Sequence, residues 1–304
     1  MEKIISEEVN ECLAELEPCI RRLSHYSLAN DKLFQICIQT SLVRAYEFCR
    51  LVFGNRSNDI AIFLFSSLRA SCEEVISLSF LQKILDESDR NTALKLFHEH
   101  EFHDQLETQS IYFKSNRPFQ PVVSSGIDQR SDYRVNLQKL ISQAGLNNFK
   151  STKNKPLPST KVMAETIGNK TLLSLYSFIF SLTSKSVHFS PHGLLKMAWG
   201  NLPDFTISTS HFDIYHRAQC QVYGVFLLVV GFEQFYSLLN LSNAEGEAVS
   251  KLRKGLRRHP RWPELITHEE MNLSHPNEKI LPFLPAAFAK IHMDETGDEW
   301  FSDH

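Results

Sequence analysis

Glycine is scarce in this chain of 304 residues, with only 11 present, and no two cysteines are spaced as Cys-x-x-Cys. A β-rich fold needs many tight turns, in which glycine is common, and this chain has too few glycines for them. Long apolar runs are also missing: the longest, 224–232, is far shorter than the roughly 20 residues that cross a bilayer. These shortages exclude a turn-rich β-architecture and a membrane-spanning segment.

The charge balance is nearly neutral, with 32 basic and 35 acidic side chains and a formal net charge of −3. This balance argues against a protein coated in nucleic acid and against one that binds anionic membranes. The N-terminal sequence lacks the apolar core of a signal peptide. The six cysteines lie mostly in apolar helical patterns and are interpreted as reduced, buried thiols. The expected location is therefore cytoplasmic, with no membrane partner.

Apolar side chains recur at helical spacing in almost every long segment, and 42% of the residues are hydrophobic. The pattern predicts an all-α fold, a bundle of about seven or eight helices that forms one domain over residues 1–304. Proline, serine and lysine concentrate in 115–160, which is expected to be an irregular, loop-rich insertion with one short helix over 132–144. The acidic end, 294–304, is expected to be a partly mobile tail.

One apolar helix carries a charged pair. Arg69 and Glu73 are four residues apart within 66–74 and therefore share a face of the predicted helix. A buried charge is very costly unless it is paired. The pair is interpreted either as a structural ion pair or as part of the lining of a cavity.

A second apolar helix is expected to end at Pro191, after a run of polar residues. Ser184 and His188 are four residues apart on it, and a buried imidazole also needs a partner. We expect His188 to join Arg69 and Glu73 in one buried polar cluster, and these three are the candidate catalytic residues. Candidate binding residues beside the cluster are Tyr176, Ser184 and His192.

Two other patterns contain residue types that are found in catalytic or metal sites, but neither predicts such a site here. A hydroxyl beside an imidazole could be a nucleophile and its base, but no glycine-rich elbow surrounds Ser184, so serine hydrolysis is disfavoured. The run 98–104 has histidine and acidic residues at metal-ligand spacing, yet it is typical of a solvated helix face. The sequence therefore predicts neither a metal site nor a cofactor.

The strongest positive patch lies on a predicted helix near the C-terminus. It is either a solvated helix end or a contact for the phosphates of RNA or a nucleotide. Its candidate binding residues are Lys251, Arg253, Lys254, Arg257 and Arg258.

Two of these stretches carry a resemblance to a known family. The segment 61–80, with Leu-Arg-Ala-Ser-Cys-Glu-Glu at its centre, resembles one signature of DUF5677, a bacterial family of unknown function. The segment 176–188, a tyrosine followed by Ser-x-x-x-His, resembles a second signature. The resemblance covers residues 30–240. It implies an all-helical bundle in which Arg69, Glu73 and His188 meet, and it brings no established activity.

The chain is also similar in character to the helical HEPN ribonucleases, whose motif is an arginine and a histidine separated by four to six residues. The windows Arg253–His259 and Arg261–His268 fit this spacing, but about two such windows are expected by chance. His188 has no arginine at that spacing before it.

Two hypotheses remain. The first is a binding or regulatory protein, in bacterial defence, that acts through a protein partner or a second copy. The alternative is a HEPN-like ribonuclease or a nucleotide-acting enzyme with histidine as general acid or base.

Overall fold

The computed structural model describes residues 2–25, 32–54, 61–121, 130–146, 156–188, 190–195, 197–201, 204–259 and 262–266. These residues form eleven α-helices, of which eight have at least 14 residues, and one short hairpin. The predicted all-α class and the helical bundle are confirmed. None of the described helices is both long and apolar enough to cross a membrane.

The helices are α1 (Glu2–Leu23), α2 (Leu33–Gly54), α3 (Phe65–Ile84), α4 (Glu87–Asn116), α5 (Arg130–Gln143), α6 (Thr160–Ile167), α7 (Lys170–Val187), α8 (Pro191–Leu195), α9 (Asp213–Gln234), α10 (Tyr236–Leu239) and α11 (Asn243–Arg257). A 3-10 helix, Ala61–Leu64, precedes α3. The strands β1 (Ala198–Asn201) and β2 (Asp204–Ile207) pair antiparallel, with Ala198 opposite Ile207.

Helix α9 is the centre of the bundle and packs against α2, α3 and α11. Every residue from Val222 to Phe232 is buried. A helix that is apolar on all sides is stable only when other helices surround it. The apolar run noted in the sequence is thus the middle of the core.

Two glycines let α2 approach α9 closely. A Cβ atom on Gly224 would lie 2.7 Å from Cε1 of Phe48, and one on Gly231 would lie 2.9 Å from Cδ2 of Leu42. Real Cβ atoms do not come this close to a neighbour, so a side chain at either position would push the helices apart or force a neighbour to move. Glycine at these positions is therefore a packing requirement.

We expect Gly224→Ala to lower the free energy of unfolding by about 1 kcal/mol, because overpacking outweighs the gain in helix propensity. The matched control is Gly255→Ala in α11, where no heavy atom lies within 4 Å of the added Cβ. That variant should be more stable, by up to about 1 kcal/mol. Urea unfolding measures both variants, and an equal gain for both would contradict the close α2–α9 packing.

The predicted insertion contains a docked helix. Leu137 and Ile141 of α5 are wholly buried, and α5 packs along α4. Helix α5 matches the short helix that the sequence predicts over 132–144, and the description of 115–160 as a loop-rich insertion stays a prediction. The predicted acidic tail, 294–304, lies outside the described residues.

The junction between the 3-10 helix and α9 is held by a buried carboxylate that the sequence did not reveal. Asp213 accepts a hydrogen bond from the backbone N–H of Ala61 at 3.2 Å and one from Arg217 at 3.0 Å. The Sγ atom of Cys220 also contacts the carbonyl oxygen of Ala61 at 3.8 Å. These contacts fix the start of α9 against the segment that leads into α3.

Candidate functional site

The candidate site lies between α3 and α7, which pack against each other. The Nε atom of Arg69 donates to Oε1 of Glu73 at 2.9 Å. The Nη1 atom of Arg69 is 3.3 Å from Nε2 of His188. Because a guanidinium can only donate, the imidazole accepts at Nε2 and carries its ring proton on Nδ1. The predicted contact among these three side chains is confirmed.

An aromatic ring covers one face of the Arg69 guanidinium. The guanidinium carbon of Arg69 lies 4.4 Å from the centre of the Phe180 ring, a cation–π distance. The sequence analysis did not single out Phe180 for this role. The signal was available, since Phe180 is four residues from both Tyr176 and Ser184 and shares their face of α7.

The cluster is not buried in the core, so that part of the prediction was wrong. The side chains of Arg69 and Glu73 are 18% and 38% exposed, and His188 is exposed. The reason is the end of α7: His188 follows its last residue, Val187, and has extended backbone angles. The apolar face of α7 points into the core, whereas His188 lies beyond it, within reach of solvent.

Two candidate binding residues flank the cluster. Tyr176 is half-buried, and this burial is the main cause that raises the pKa of its phenol. The nearby negative charge of Glu73 raises that pKa further. Tyr176 therefore keeps its proton and can donate it in a hydrogen bond. The Ser184 hydroxyl donates to the carbonyl oxygen of Phe180 at 2.6 Å, so it bonds to its own helix rather than to His188.

The third candidate, His192, lies in α8, and its side chain is outside the described residues. The sequence pattern predicted that Pro191 ends the preceding helix. The structure differs: α7 already ends at Val187, and Pro191 is the first residue of α8. Proline suits this position because the first turn of a helix needs no backbone N–H from it.

The basic patch on α11 is largely matched by acidic side chains of other helices. Lys251, Arg253 and Arg258 form three ion pairs, with distances of 2.9, 3.2 and 3.1 Å. Their partners are Glu15, Glu233 and Glu8 respectively. Lys254 and Arg257 are exposed. Most of the predicted phosphate contact therefore helps to join α11 to α1 and α9.

The structure gives no support to either arginine–histidine window as a ribonuclease motif. Arg253 of the first window forms its ion pair with Glu233, and His259 follows the end of α11. The second window, Arg261–His268, has both ends outside the described residues.

One side of the histidine-rich part of α4 is buried, so the prediction of a solvated face was wrong for that side, whereas His98 and Glu101 are exposed. His100 and His103 are buried, and the ring of His103 stacks on Tyr133 of α5 with centroids 5.3 Å apart. Helix α5 covers this face, which no local pattern could predict. Within the described ranges, no three histidine, cysteine, aspartate or glutamate side chains are grouped so that they could hold a metal ion.

Comparison with known proteins gives one match. The family model described as "Family of unknown function (DUF5677)" matches residues 33–204, more than half of the chain. No curated protein and no solved structure matches. The likeness to HEPN ribonucleases gains no support from these comparisons and stays a hypothesis. The matched part includes both helices that build the Arg69 site and ends before α9 and α11. By this match, the chain belongs to the family of unknown function DUF5677.

Proposed function

We propose that this protein is a helical binding module that recognises a phosphate group of RNA or of a nucleotide through Arg69 and His188. One observation carries the proposal: a guanidinium already held in place stands beside an exposed imidazole at the protein surface. Arginine is the residue best suited to planar, multiple hydrogen bonding with phosphate.

The setting of Arg69 supports recognition of an anion. Glu73 holds Nε, and Phe180 covers one face of the guanidinium, so little side-chain freedom is left to lose on binding. Within the described residues, Nη2 has no hydrogen-bond partner and can donate to a ligand. Tyr176 supplies a further protonated hydroxyl nearby.

A second candidate function is phosphodiester cleavage of the HEPN-like kind. The observation that favours it is the direct contact between Arg69 and His188, which come from different helices. His188 would accept the proton of the attacking ribose 2′-hydroxyl at Nε2, once Arg69 turns from that atom to the phosphate, and would return it to the 5′-oxygen that leaves as the P–O5′ bond breaks. Arg69 would stabilise the negative charge that develops on the phosphate. Glu73 would orient Arg69 in this reaction. Cleavage of bound RNA separates this candidate from simple binding.

Other parts of the proposal are supported less directly. Lys254 and Arg257 on α11 can add electrostatic attraction for a nucleic acid. A protein partner or a second copy is supported by exposed apolar side chains such as Phe63 and Ile207. None of the six cysteines forms a disulfide, which supports a cytoplasmic location. A role in bacterial antiviral defence belongs to the same proposal and depends on RNA being the ligand.

The test measures binding of a short fluorescein-labelled single-stranded RNA by fluorescence anisotropy at low and at physiological salt. Binding that weakens with salt, and that a nucleoside monophosphate or inorganic phosphate displaces, would support the proposal. Gel electrophoresis of the same samples reports cleavage. If the RNA is cut by the unmodified protein and not by His188→Ala, the enzymatic candidate is correct. If neither RNA nor the phosphate competitors bind, the proposal is wrong.

A further inference from the structure

A cavity of about 260 Å³ lies on a different face of α7 from the Arg69 site. Its walls come from the last turns of α7, from α8, from the segment that follows β2, from the start of α9 and from residues near 265. Arg69, Glu73, Tyr176, Phe180 and His188 do not line it. The cavity is therefore a separate feature of the fold.

The walls of this cavity are held by specific contacts. A Cβ atom on Gly193 would lie 2.5 Å from the carbonyl oxygen of Lys185, so α8 sits directly on the end of α7 and needs glycine there. The backbone N–H of Ser208 donates to the carbonyl oxygen of Met197 at 2.8 Å. The Nε2 atom of Gln219 donates to the carbonyl oxygen of Glu264 at 2.6 Å. These contacts hold neighbouring parts of the walls together in pairs.

Aromatic rings form one side of the cavity. Phe65 meets the ring of His216 edge-on, with centroids 5.1 Å apart, and Phe212 lies 6.4 Å from the same ring. The rings of Tyr215 and His211 belong to the same lining. Rings in such an arrangement favour a flat apolar or aromatic guest, which can pack against a face or an edge.

The described lining of the cavity carries a positive charge. Among the described residues that line the cavity, Lys185 is the only lysine or arginine, and none is an aspartate or a glutamate. Lys185 is exposed at the end of α7 and forms no ion pair with any described residue. Hydroxyl groups of Ser181, Ser186 and Ser208 lie in the same lining. An anionic group at this edge would find a cation and hydroxyl donors without a repelling carboxylate.

We propose that this cavity binds a small planar molecule with a single anionic group, its ring against Phe65 and Phe212 and its anion at Lys185. The volume lies below the usual range of small-molecule sites, so the ligand is small, with two or three rings at most. This proposal does not depend on the Arg69 site.

The probe for this site is 8-anilinonaphthalene-1-sulfonate, an aromatic sulfonate with a flat naphthalene ring system, which fluoresces when it leaves water. Its neutral counterpart, N-phenyl-1-naphthylamine, has the same ring system without the sulfonate. The full chain should bind one sulfonate molecule, and Lys185→Gln should weaken that binding roughly tenfold, because a charge-assisted hydrogen bond is lost. Binding of the neutral counterpart should remain unchanged.

Two further variants locate the site. Lys170→Gln removes the same charge from the other end of α7, roughly 22 Å away at about 1.5 Å per residue, and should bind both probes as before. Ser181→Phe fills the cavity and should abolish binding of both probes, while circular dichroism checks that the variant is folded. Sulfonate binding that is insensitive to Lys185→Gln and to Ser181→Phe would overturn the proposal. An equal loss of both probes in Lys185→Gln would overturn the role of the anion.

Discussion

Arg69→Ala is expected to weaken the binding of single-stranded RNA by roughly tenfold to a hundredfold, because charge-assisted hydrogen bonds to phosphate are lost. Three neighbours hold the Arg69 guanidinium in place: Glu73 bonds to Nε, Phe180 covers one face, and His188 contacts Nη1. A ligand that meets Arg69 thus binds a rigid donor. Fluorescence anisotropy with the labelled RNA measures the change.

The same substitution should change the free energy of unfolding by less than about 1 kcal/mol, because the Arg69–Glu73 pair is open to solvent on one side. With 38% of its side chain exposed, Glu73 can bond to water once Arg69 is gone. A structural ion pair in the core, one of the two interpretations that the sequence left open, would make the loss larger. Thermal unfolding followed by circular dichroism separates these outcomes.

Two controls sharpen the Arg69 experiment. Arg21→Ala removes an arginine from another pair spaced by four residues, Arg21 with Glu17 on α1, and should leave RNA binding intact. Arg69→Lys keeps the charge but not the planar donor, and should recover only part of the affinity. A large loss of stability with unchanged RNA affinity would show that the cluster is structural, and the binding proposal would then fail.

Asp213→Ala is expected to lower the free energy of unfolding by about 2–4 kcal/mol, because it removes the acceptor of a buried backbone donor and the ion-pair partner that Arg217 has on the same helix. The Asp213 side chain is only 6% exposed and that of Arg217 is 19% exposed. The backbone N–H of Ala61, at a residue that is 1% exposed, would lose its bond to the carboxylate. Urea unfolding measures the loss.

The double variant Asp213→Ala with Arg217→Met should recover part of this loss, since the cation is removed together with its partner. The matched control is Glu17→Ala, which breaks an acid–arginine pair with the same spacing at an exposed site and should leave stability almost unchanged. Equal effects of Asp213→Ala and Glu17→Ala would contradict the account of the junction between the 3-10 helix and α9.

Local features could be predicted from the sequence because they depend on residues that are near in the chain. The helical periodicity predicted the all-α class, and the spacing of four residues predicted the Arg69–Glu73 bond. Joining His188 to that pair was a harder inference. It rested on the cost of burying polar groups and on the family resemblance, and the contact it predicted is present at 3.3 Å.

Other features depend on which faces meet in the bundle, and no local pattern encodes that. Lys251 pairs with Glu15, which is 236 residues away, so a patch that looks basic in the sequence is matched across α1 and α11. His103 becomes buried only because α5 covers its face of α4. His188 is exposed because α7 ends just before it. Sequence spacing determines which side chains share a helix face, whereas the packing of helices distant in the chain decides whether that face meets water, a charge or the core.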